Sequence, residues 1–476
     1  MTMNRRAHVR LDERMRETRP SWIWSIAIVA VAVLLGGCSL DGLLNTDEVP
    51  PDVTDPAITQ TTEGALRAYH GVLVQFREIY AGSKWDTYGF TPATGLLTDE
   101  LEWGGNVQNT SGDVLDMRYI PEDAPHTVGS VTYGELQKIR GLASQAIGLM
   151  TRFAPDSLAP LVGHLYALQA YAEIFLAELF CSGIPLSTLD YEGGFTYAPG
   201  STTEEVFEHA LALLDTALTF VGDSARFENL AHVGRARALL GLGRIAEAAA
   251  AVATVPDNFR YDVRYSVVSG RNAENFARLN LSSPRPWDVT VGDGEGGNGL
   301  PYVSSGDPRT QVTSTWGTNS RGLTIHHPSK YGTDGSGMVT LASGVEARLI
   351  EAEAALHAKA PDWLDRLNHP RQTLWTTIVP AVAGPLPDLA DPGTDDARLD
   401  LIFRERAYWL FLTGHRQGDL RRLVSTYGRA QQTLYPVGAY HDPYAAGLSY
   451  GSHIDLPVPA EEKVSNKRYT GCIARA

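Results

Sequence analysis

The sequence predicts one large, mainly α-helical body that carries a long loop-rich insertion. Apolar residues recur at three- and four-residue spacings in several separate segments, which is the period of an amphipathic helix. Between residues about 260 and 340, by contrast, glycine and proline are frequent and no helical stripe is present. This stretch therefore predicts an insertion of irregular loops, a kind of segment that often forms a binding surface.

Residues 1–37 predict an exported lipoprotein leader. Six arginines precede an apolar run from Trp22 to Leu35, which is too short to span a bilayer as a helix. A basic segment followed by a short apolar one is typical of a signal peptide. The leader ends in Leu35-Gly36-Gly37-Cys38, which resembles a bacterial lipobox, so we expect Cys38 to be acylated. The alternative is an ordinary signal peptide with an incidental cysteine.

Residues 38–60 predict a flexible tether, and residues 61–476 the helical body. The tether is rich in Asp, Thr and Pro and has little apolar content to bury. An acylated cysteine with more than one lipid chain gives stable anchoring. Because Ser39 rather than Asp follows the cysteine, we expect the body to be held at the outer membrane and exposed at the cell surface.

Within the body, five segments have helical patterns: 161–180, 202–217, 229–256, 345–358 and 399–423. Gly183 and Pro185 end the first helix. The second begins at Thr202 with two acids in its first turn, which predicts a capped N-terminus. The third segment reads as two helices joined by a turn at Gly241 and Gly243, and its small residues resemble a tetratricopeptide unit. Residues 430–476 predict irregular structure.

Charge and cysteine content exclude several classes of protein. The chain has 40 basic and 55 acidic residues and a net charge of −15, so a nucleic-acid partner is excluded for lack of a basic footprint. Three cysteines are too few for a disulfide scaffold or a four-thiolate zinc site. The histidines lack a metal-binding spacing, and glycine-rich residues 292–299 lack the Lys-Ser/Thr of a phosphate loop. The sequence therefore predicts neither a metal nor a cofactor.

The acidic residues do not predict a hydrolase. A glycosidase needs two carboxylates placed across a cleft. Glu405 and Asp419 lie in a segment dense in arginine, which favours ion pairs between helices. One further acidic cluster stands beside Trp103: Asp99, Glu100 and Glu102. We therefore expect a protein without catalytic residues.

Aromatic side chains in the loops are the best candidates for ligand contact, because sugar rings stack on flat aromatic faces while polar neighbours bond their hydroxyls. Four tryptophans lie outside the strong helical stripes, in segments rich in Gly, Asn, Thr and Asp: Trp85, Trp103, Trp287 and Trp316. The candidates, in order of preference, are Trp287, Trp316 and Trp103. The alternative for each is burial as a loop anchor. Trp363, Trp375 and Trp409 have the surroundings of packing residues.

Seven segments in order carry a family resemblance. They are Leu176–Phe180 continuing to Gly183-Ile184-Pro185-Leu186; Thr202–Phe207; 229–256; Asp307-Pro308-Arg309; 347–356; 402–422; and Leu456-Pro457-Val458-Pro459 with Glu462 and Asn466. In this order they resemble the SusD/RagB family of outer-membrane nutrient-binding lipoproteins. Phe180-Cys181-Ser182-Gly183 and Lys467 depart from the family pattern, which indicates a divergent branch.

The resemblance implies a SusD-like fold of four tetratricopeptide-like helix pairs with a loop-rich ligand face. It also implies a lid on a SusC-like TonB-dependent transporter, which captures glycans or, in the RagB-type branch, peptides. Catalysis is not required, because the energy for uptake lies in the partner complex. Two alternatives remain open: a helical-repeat scaffold lipoprotein of the outer envelope that binds no nutrient, and a secreted glycosidase.

The resemblance also bears on two cysteines. Cys181 and Cys472 each lie beside one of these segments, and both would meet an oxidising environment after export. A disulfide between them would pin the C-terminal tail and add a few kcal/mol of stability in the chain-entropy account. The alternative is two unpaired thiols.

Overall fold

The computed structural model describes residues 60–82, 89–104, 112–120, 127–266, 289–318, 324–332, 336–441 and 447–474, with the backbone alone at 127 and 314–318. Residues Thr59–Ala476 form a compact unit. The predicted leader, the acylation site Cys38 and nearly all of the tether lie outside the described residues, and these remain predictions. None of the described helices has the length and apolarity needed to cross a bilayer.

Helices dominate the described chain. They are α1 Thr62–Ala81, α2 Phe90–Leu97, α3 Gly112–Asp116, α4 Thr127–Phe153, α5 Ala159–Leu179, α6 Thr203–Phe220, α7 Ala225–Gly241, α8 Ile245–Val252, α9 Gly344–His357, α10 Trp363–Thr373, α11 Asp395–Trp409, α12 Arg416–Ser425 and α13 Ala460–Ser465. The strands are short: β1 Leu101–Trp103, β2 Ile184–Pro185, β3 Thr188–Leu189, β4 Phe195–Thr196, β5 Gly200–Ser201, β6 Arg260–Val263, β7 Val289–Val291, β8 Val312–Thr318, β9 Thr324–Pro328 and β10 Val339–Ser343.

The long helices pack in pairs, and each pair packs on the next. The pairs are α1 with α4, α5 with α6, α7 with α8, and α9 with α10. α4 also contacts α5, α6 contacts α7, and α8 contacts α9. Stacking of neighbouring helix pairs is the architecture of helical-repeat proteins. The predicted mainly α-helical fold with tetratricopeptide-like pairs is therefore confirmed.

The core of the body is centred on α5. This helix is buried on almost every side from Val162 to Leu179. Such burial is expected for a helix with apolar residues on all its faces. The Phe175 ring stacks on Phe90 with centroids 3.9 Å apart and on Tyr80 at 5.7 Å. These rings join the first helix pair to the second.

Two sequence signals for helix boundaries are confirmed. Thr202 is the N-cap of α6: its hydroxyl accepts a hydrogen bond from the Glu205 N–H at 3.1 Å, and the Glu205 carboxylate accepts one from the Thr202 N–H at 2.8 Å. This is a complete capping box. The turn between α7 and α8 contains Gly243 with φ +70°, a conformation that favours glycine.

The single helix predicted over 399–423 is wrong. The structure has two helices, α11 and α12, separated by a turn in which Leu412 and Gly414 have φ values of 52° and 73°. A Cβ on Gly414 would lie 2.5 Å from the Phe90 ring, so the turn fits closely against α2. The helical period continues on both sides of the turn, which is why the pattern did not reveal the break.

The insertion is also more regular than predicted. Its described residues contain β6 to β10. β10 pairs with β6, and β8 pairs with β9, both antiparallel. β10 leads directly into α9, whose N-cap is Ser343. The strands are short and separated by Gly and Pro, so no long period-2 pattern marks them in the sequence.

Candidate functional site

The insertion and the segment after α2 together build a patch of short strands. β1 pairs with β7, with Glu102 opposite Thr290. The Thr290 hydroxyl accepts from the His326 N–H at 2.9 Å and donates to the Thr324 carbonyl at 3.3 Å, which joins β7 to β9. We call the solvent-accessible polar residues of this patch the strand face: Glu102, Asp293, Thr324 and His326.

Two of the three tryptophans predicted to contact a ligand can be related to this patch only by their positions in the sequence. Trp316 belongs to β8, the strand that pairs with β9 at the strand face; its side chain is outside the described residues. Trp287 also lies outside the described residues, two positions before β7. Both therefore remain predictions.

Trp103, the third candidate, is a packing residue and not a stacking platform. Its side chain is only 4% exposed. A Cβ placed on Gly112 would lie 2.4 Å from the Trp103 ring, so the ring rests directly on the α3 backbone. The prediction of ligand contact is corrected: the loop composition around Trp103 suggested exposure, but β1 turns this ring into the core.

Next to Trp103 lies a group of ligand-type side chains that no spacing in the sequence predicted. Asp116 ends α3, Glu295 lies in a 3-10 turn at Glu295–Gly297, and His441 follows Tyr440 in the C-terminal region. One oxygen or nitrogen from each of the three side chains lies within 4.8 Å of the others. We call these three residues the acid–histidine cluster. Sequence reasoning missed it because its members come from separate segments.

Burial dominates the electrostatics of this cluster. Asp116 is fully buried and Glu295 is 4% exposed. Burial raises the pKa of Asp116, and burial together with the Asp116 and Glu102 charges raises the pKa of Glu295 well above its ordinary value. Burial likewise raises the pKa of Glu102. Burial therefore favours the neutral forms of these three acids unless a positive charge compensates them.

A small cavity opens elsewhere, among the end of α11, β10 and the start of α9. Its volume is about 100 Å³, and its lining includes Arg260, Lys330, Met338, Val379, Trp409 and His415. Burial lowers the pKa of Lys330, whose ammonium donates to the Phe411 carbonyl. Pockets for small organic ligands usually enclose about 300–1,000 Å³. This cavity is too small for an oligomer.

A wider groove of about 1,110 Å³ runs between α5, α6, α12 and the C-terminal tail. Its lining includes the charged residues Glu204, Glu205, Glu208 and Arg421, and its single aromatic residue, Phe207, is buried at 4% exposure. Such a groove lacks a flat ring for sugar stacking. This groove therefore offers no aromatic platform for an extended ligand.

The motif acids hold the fold together. Glu405 accepts hydrogen bonds from Arg309 at 2.6 Å and from Arg371 at 2.9 Å. Asp419 accepts from Arg406 at 2.8 Å, which is the predicted pairing between helices. In the cluster beside Trp103, Asp99 pairs with Arg416 at 2.7 Å, and Glu100 Oε1 accepts a hydrogen bond from the Leu412 N–H at 2.7 Å. Each of these carboxylates has a structural partner, as buried charges require.

Cys181 and Cys472 form a disulfide with an S–S distance of 1.98 Å. Backbone hydrogen bonds run beside it: the Ser182 N–H donates to Ala474 at 3.1 Å, and the Ile473 N–H donates to Ser182 at 2.7 Å. The tail is thereby fastened to the end of α5, 291 positions earlier in the chain.

No protein-family model matches the chain, and no curated protein matches it. Solved structures do match. A SusD superfamily protein from Bacteroides thetaiotaomicron shares 14% identity, with a TM-score of 0.64 over 87% of this chain and 100% of that one. A SusD-like carbohydrate binding protein from Bacteroides vulgatus shares 13%, with a TM-score of 0.61 over 86% and 97%.

A third match is surface glycan-binding protein A from Bacteroides thetaiotaomicron in complex with laminarihexaose, at 13% identity and a TM-score of 0.61 over 87% of this chain and 99% of that one. These likenesses span nearly the whole described body. The chain therefore has the SusD fold, and the predicted resemblance is confirmed at the level of the fold.

Proposed function

We propose that this protein is a surface lipoprotein that binds a nutrient glycan and passes it to a SusC-like TonB-dependent transporter, without catalysing a reaction. The observation that carries the proposal is the SusD fold across the body, shared with structures named as carbohydrate-binding and surface glycan-binding proteins. The lipobox before Cys38 supports the anchored, outer-membrane location.

The strand face supports glycan binding by its chemistry. It offers hydroxyl, carboxylate and imidazole groups at Thr324, Glu102 and His326, which suit the hydroxyls of a sugar chain. The segment that contains Trp316 belongs to the same hairpin. A body with more acidic than basic residues repels polyanions, so the proposed ligand is an uncharged polysaccharide.

Affinity electrophoresis of the full chain against a polysaccharide panel tests this function. We expect retardation in at least one neutral glycan, with laminarin tried first, and none in polyanionic alginate. Trp316→Ala should weaken binding about 10- to 30-fold, as for a tryptophan at the centre of an interface. Tyr197→Ala, at an exposed aromatic residue in another hairpin, is the matched control and should bind as the wild type.

Other results would redirect the proposal. Wild-type protein that migrates unchanged in every glycan but binds an oligopeptide mixture would favour the peptide-binding RagB-type branch. Absence of binding to both, with retained association to an envelope complex, would favour the scaffold. Copurification of a TonB-dependent transporter with the detergent-extracted protein is expected from the proposed transfer step.

A further inference from the structure

The acid–histidine cluster contains two buried carboxylates that lack the partners their burial requires. Among the described residues, neither oxygen of Glu295 and not Oδ1 of Asp116 makes a well-formed hydrogen bond, although the Tyr450 hydroxyl lies near enough to Glu295 to interact with it. Buried ionisable groups in folded proteins are almost always paired, hydrogen-bonded or bound to a metal. The Asp99 and Glu405 carboxylates pair with arginines. The Asp116 and Glu295 carboxylates instead lie beside each other, and Glu102 is a third acidic group nearby.

The surrounding groups do not neutralise this charge. Arg118 lies close enough for Glu295 to influence its pKa, yet its guanidinium donates to the Gly451 carbonyl at 2.6 Å and its Nε and Nη1 make no hydrogen bond. The His441 Nε2 is also without a hydrogen-bond partner, 3.9 Å from Asp116 Oδ2. One oxygen or nitrogen from each of the Asp116, Glu295 and His441 side chains lies within 4.8 Å of the others.

Neighbouring residues hydrogen-bond to the side chains of the acid–histidine cluster, as the residues around a metal site do to its ligands. The Trp103 N–H and the Tyr440 hydroxyl both donate to Asp116 Oδ2, at 2.7 and 2.5 Å, which leaves Oδ1 free. His441 Nδ1 lies 2.9 Å from the Tyr450 hydroxyl. In the tautomer in which Nδ1–H donates to that hydroxyl, Nε2 carries a lone pair and is the ligand atom.

We propose that Asp116, Glu295 and His441 bind a divalent transition-metal ion of the zinc class. An imidazole combined with carboxylates suits Zn²⁺ and its neighbours, whereas Ca²⁺ and Mg²⁺ prefer sites made of oxygen alone. A dication also removes the repulsion between the two acids, which a shared proton would relieve only in part. None of the three ligands belongs to the strand face, although Glu102 of the strand face lies beside them.

The ion would join segments that are distant in the sequence. Asp116 lies at the end of α3, Glu295 follows β7, and His441 lies in the C-terminal region. Trp103, at the end of β1, donates to Asp116, so the ion would also fix β1. Its effect would be to stiffen the support of the strand face and so to pre-organise it for a ligand.

Metal binding to the full chain is measured after EDTA treatment and dialysis, with Zn²⁺ as the probe. We expect one Zn²⁺ per chain by elemental analysis. We also expect a rise in thermal midpoint of about 3–5 °C at a hundredfold excess over the dissociation constant. Glu295→Gln and His441→Ala should each weaken binding at least tenfold and abolish the thermal shift. His70→Ala, at an exposed histidine of α1, should behave as the wild type.

Three outcomes would overturn the proposal. In the first, the wild type binds no stoichiometric Zn²⁺ and shows no thermal shift, and Glu295→Gln is more stable than the wild type. This result would indicate two acids that share a proton. The second is a Ca²⁺ response that His441→Ala leaves intact. The third is an equal loss in His70→Ala, which would indicate adventitious surface binding. His441 is half-buried, so His441→Ala tests the site even if Glu295→Gln fails to fold.

Discussion

At the scale of single residues, the motif positions prove to be scaffolding. Arg309 of the Asp-Pro-Arg segment and Glu405 of the 402–422 segment meet at 2.6 Å in the interior. Both are at most 5% exposed. Removing one member of such a pair leaves an uncompensated buried charge. These two motif residues therefore hold helices and loops together, and they do not themselves contact a ligand site.

His164 is a residue whose neutral form the fold requires. Its two ring nitrogens lie 2.9 Å from the Tyr69 hydroxyl and 2.6 Å from the Tyr261 hydroxyl, and its ring stacks on Phe227 at 4.2 Å. Burial, with a smaller effect from Arg226, lowers the pKa of His164 to about 3. Protonation would therefore oppose folding.

The pH dependence of stability follows from this pKa. Because the folded pKa is below the ordinary value, the stabilising contribution is complete above about pH 6.5 and is lost as pH falls towards 3. Unfolding free energy should fall by about 1.4 kcal/mol per pH unit in that range from this group. Urea unfolding at pH 7, 6, 5 and 4 measures it. The His164→Asn variant should show a smaller decrease of unfolding free energy with falling pH than the wild type. The His232→Asn variant, changed at a half-buried histidine of α7, should differ less from the wild type.

At the scale of elements, helix pairs approach closely where small residues allow it. Gly163 of α5 faces the end of α6: an added Cβ would lie 2.8 Å from the Ala217 carbonyl oxygen and 2.9 Å from Val221. Backbone cannot move aside as a flexible side chain does. The sequence pattern did not single out Gly163, because an apolar stripe does not show which positions meet another backbone.

A matched pair of substitutions tests this close approach. Gly163→Ala should lower the free energy of unfolding by about 1–3 kcal/mol, because it pushes α5 away from α6. Gly134→Ala is its control: Gly134 lies in α4 with nothing within 4 Å of an added Cβ. This change should stabilise the helix by up to about 1 kcal/mol. Equal effects of both in urea unfolding would contradict the packing argument.

At the scale of the whole molecule, the Cys181–Cys472 disulfide links positions 291 residues apart. In the chain-entropy account, a bridge that closes so long a loop restricts the unfolded chain strongly. We expect Cys472→Ser to lower the free energy of unfolding by about 2–4 kcal/mol. Dithiothreitol should destabilise the wild type by a similar amount and leave Cys472→Ser unchanged. Identical urea midpoints with and without reductant would refute a stabilising bridge.

The sequence by itself determined several of the helices, among them α5, α6 and the α7–α8 pair, and the capping of α6. These follow from local period and local turn chemistry, as at the Thr202 capping box and at Gly243. The order of the motif segments was sufficient to indicate the SusD fold. Such features depend on residues within a few positions of each other, so a pattern can reveal them.

Only the tertiary structure decided which side chains meet. It buried Trp103, broke the predicted 399–423 helix at Gly414, and brought Asp116, Glu295 and His441 within 4.8 Å. None of these outcomes has a local signature, because each depends on contacts between segments far apart in the chain. Burial and convergence of donors are properties of long-range packing, and that is the physical reason why the metal site was absent from the sequence prediction.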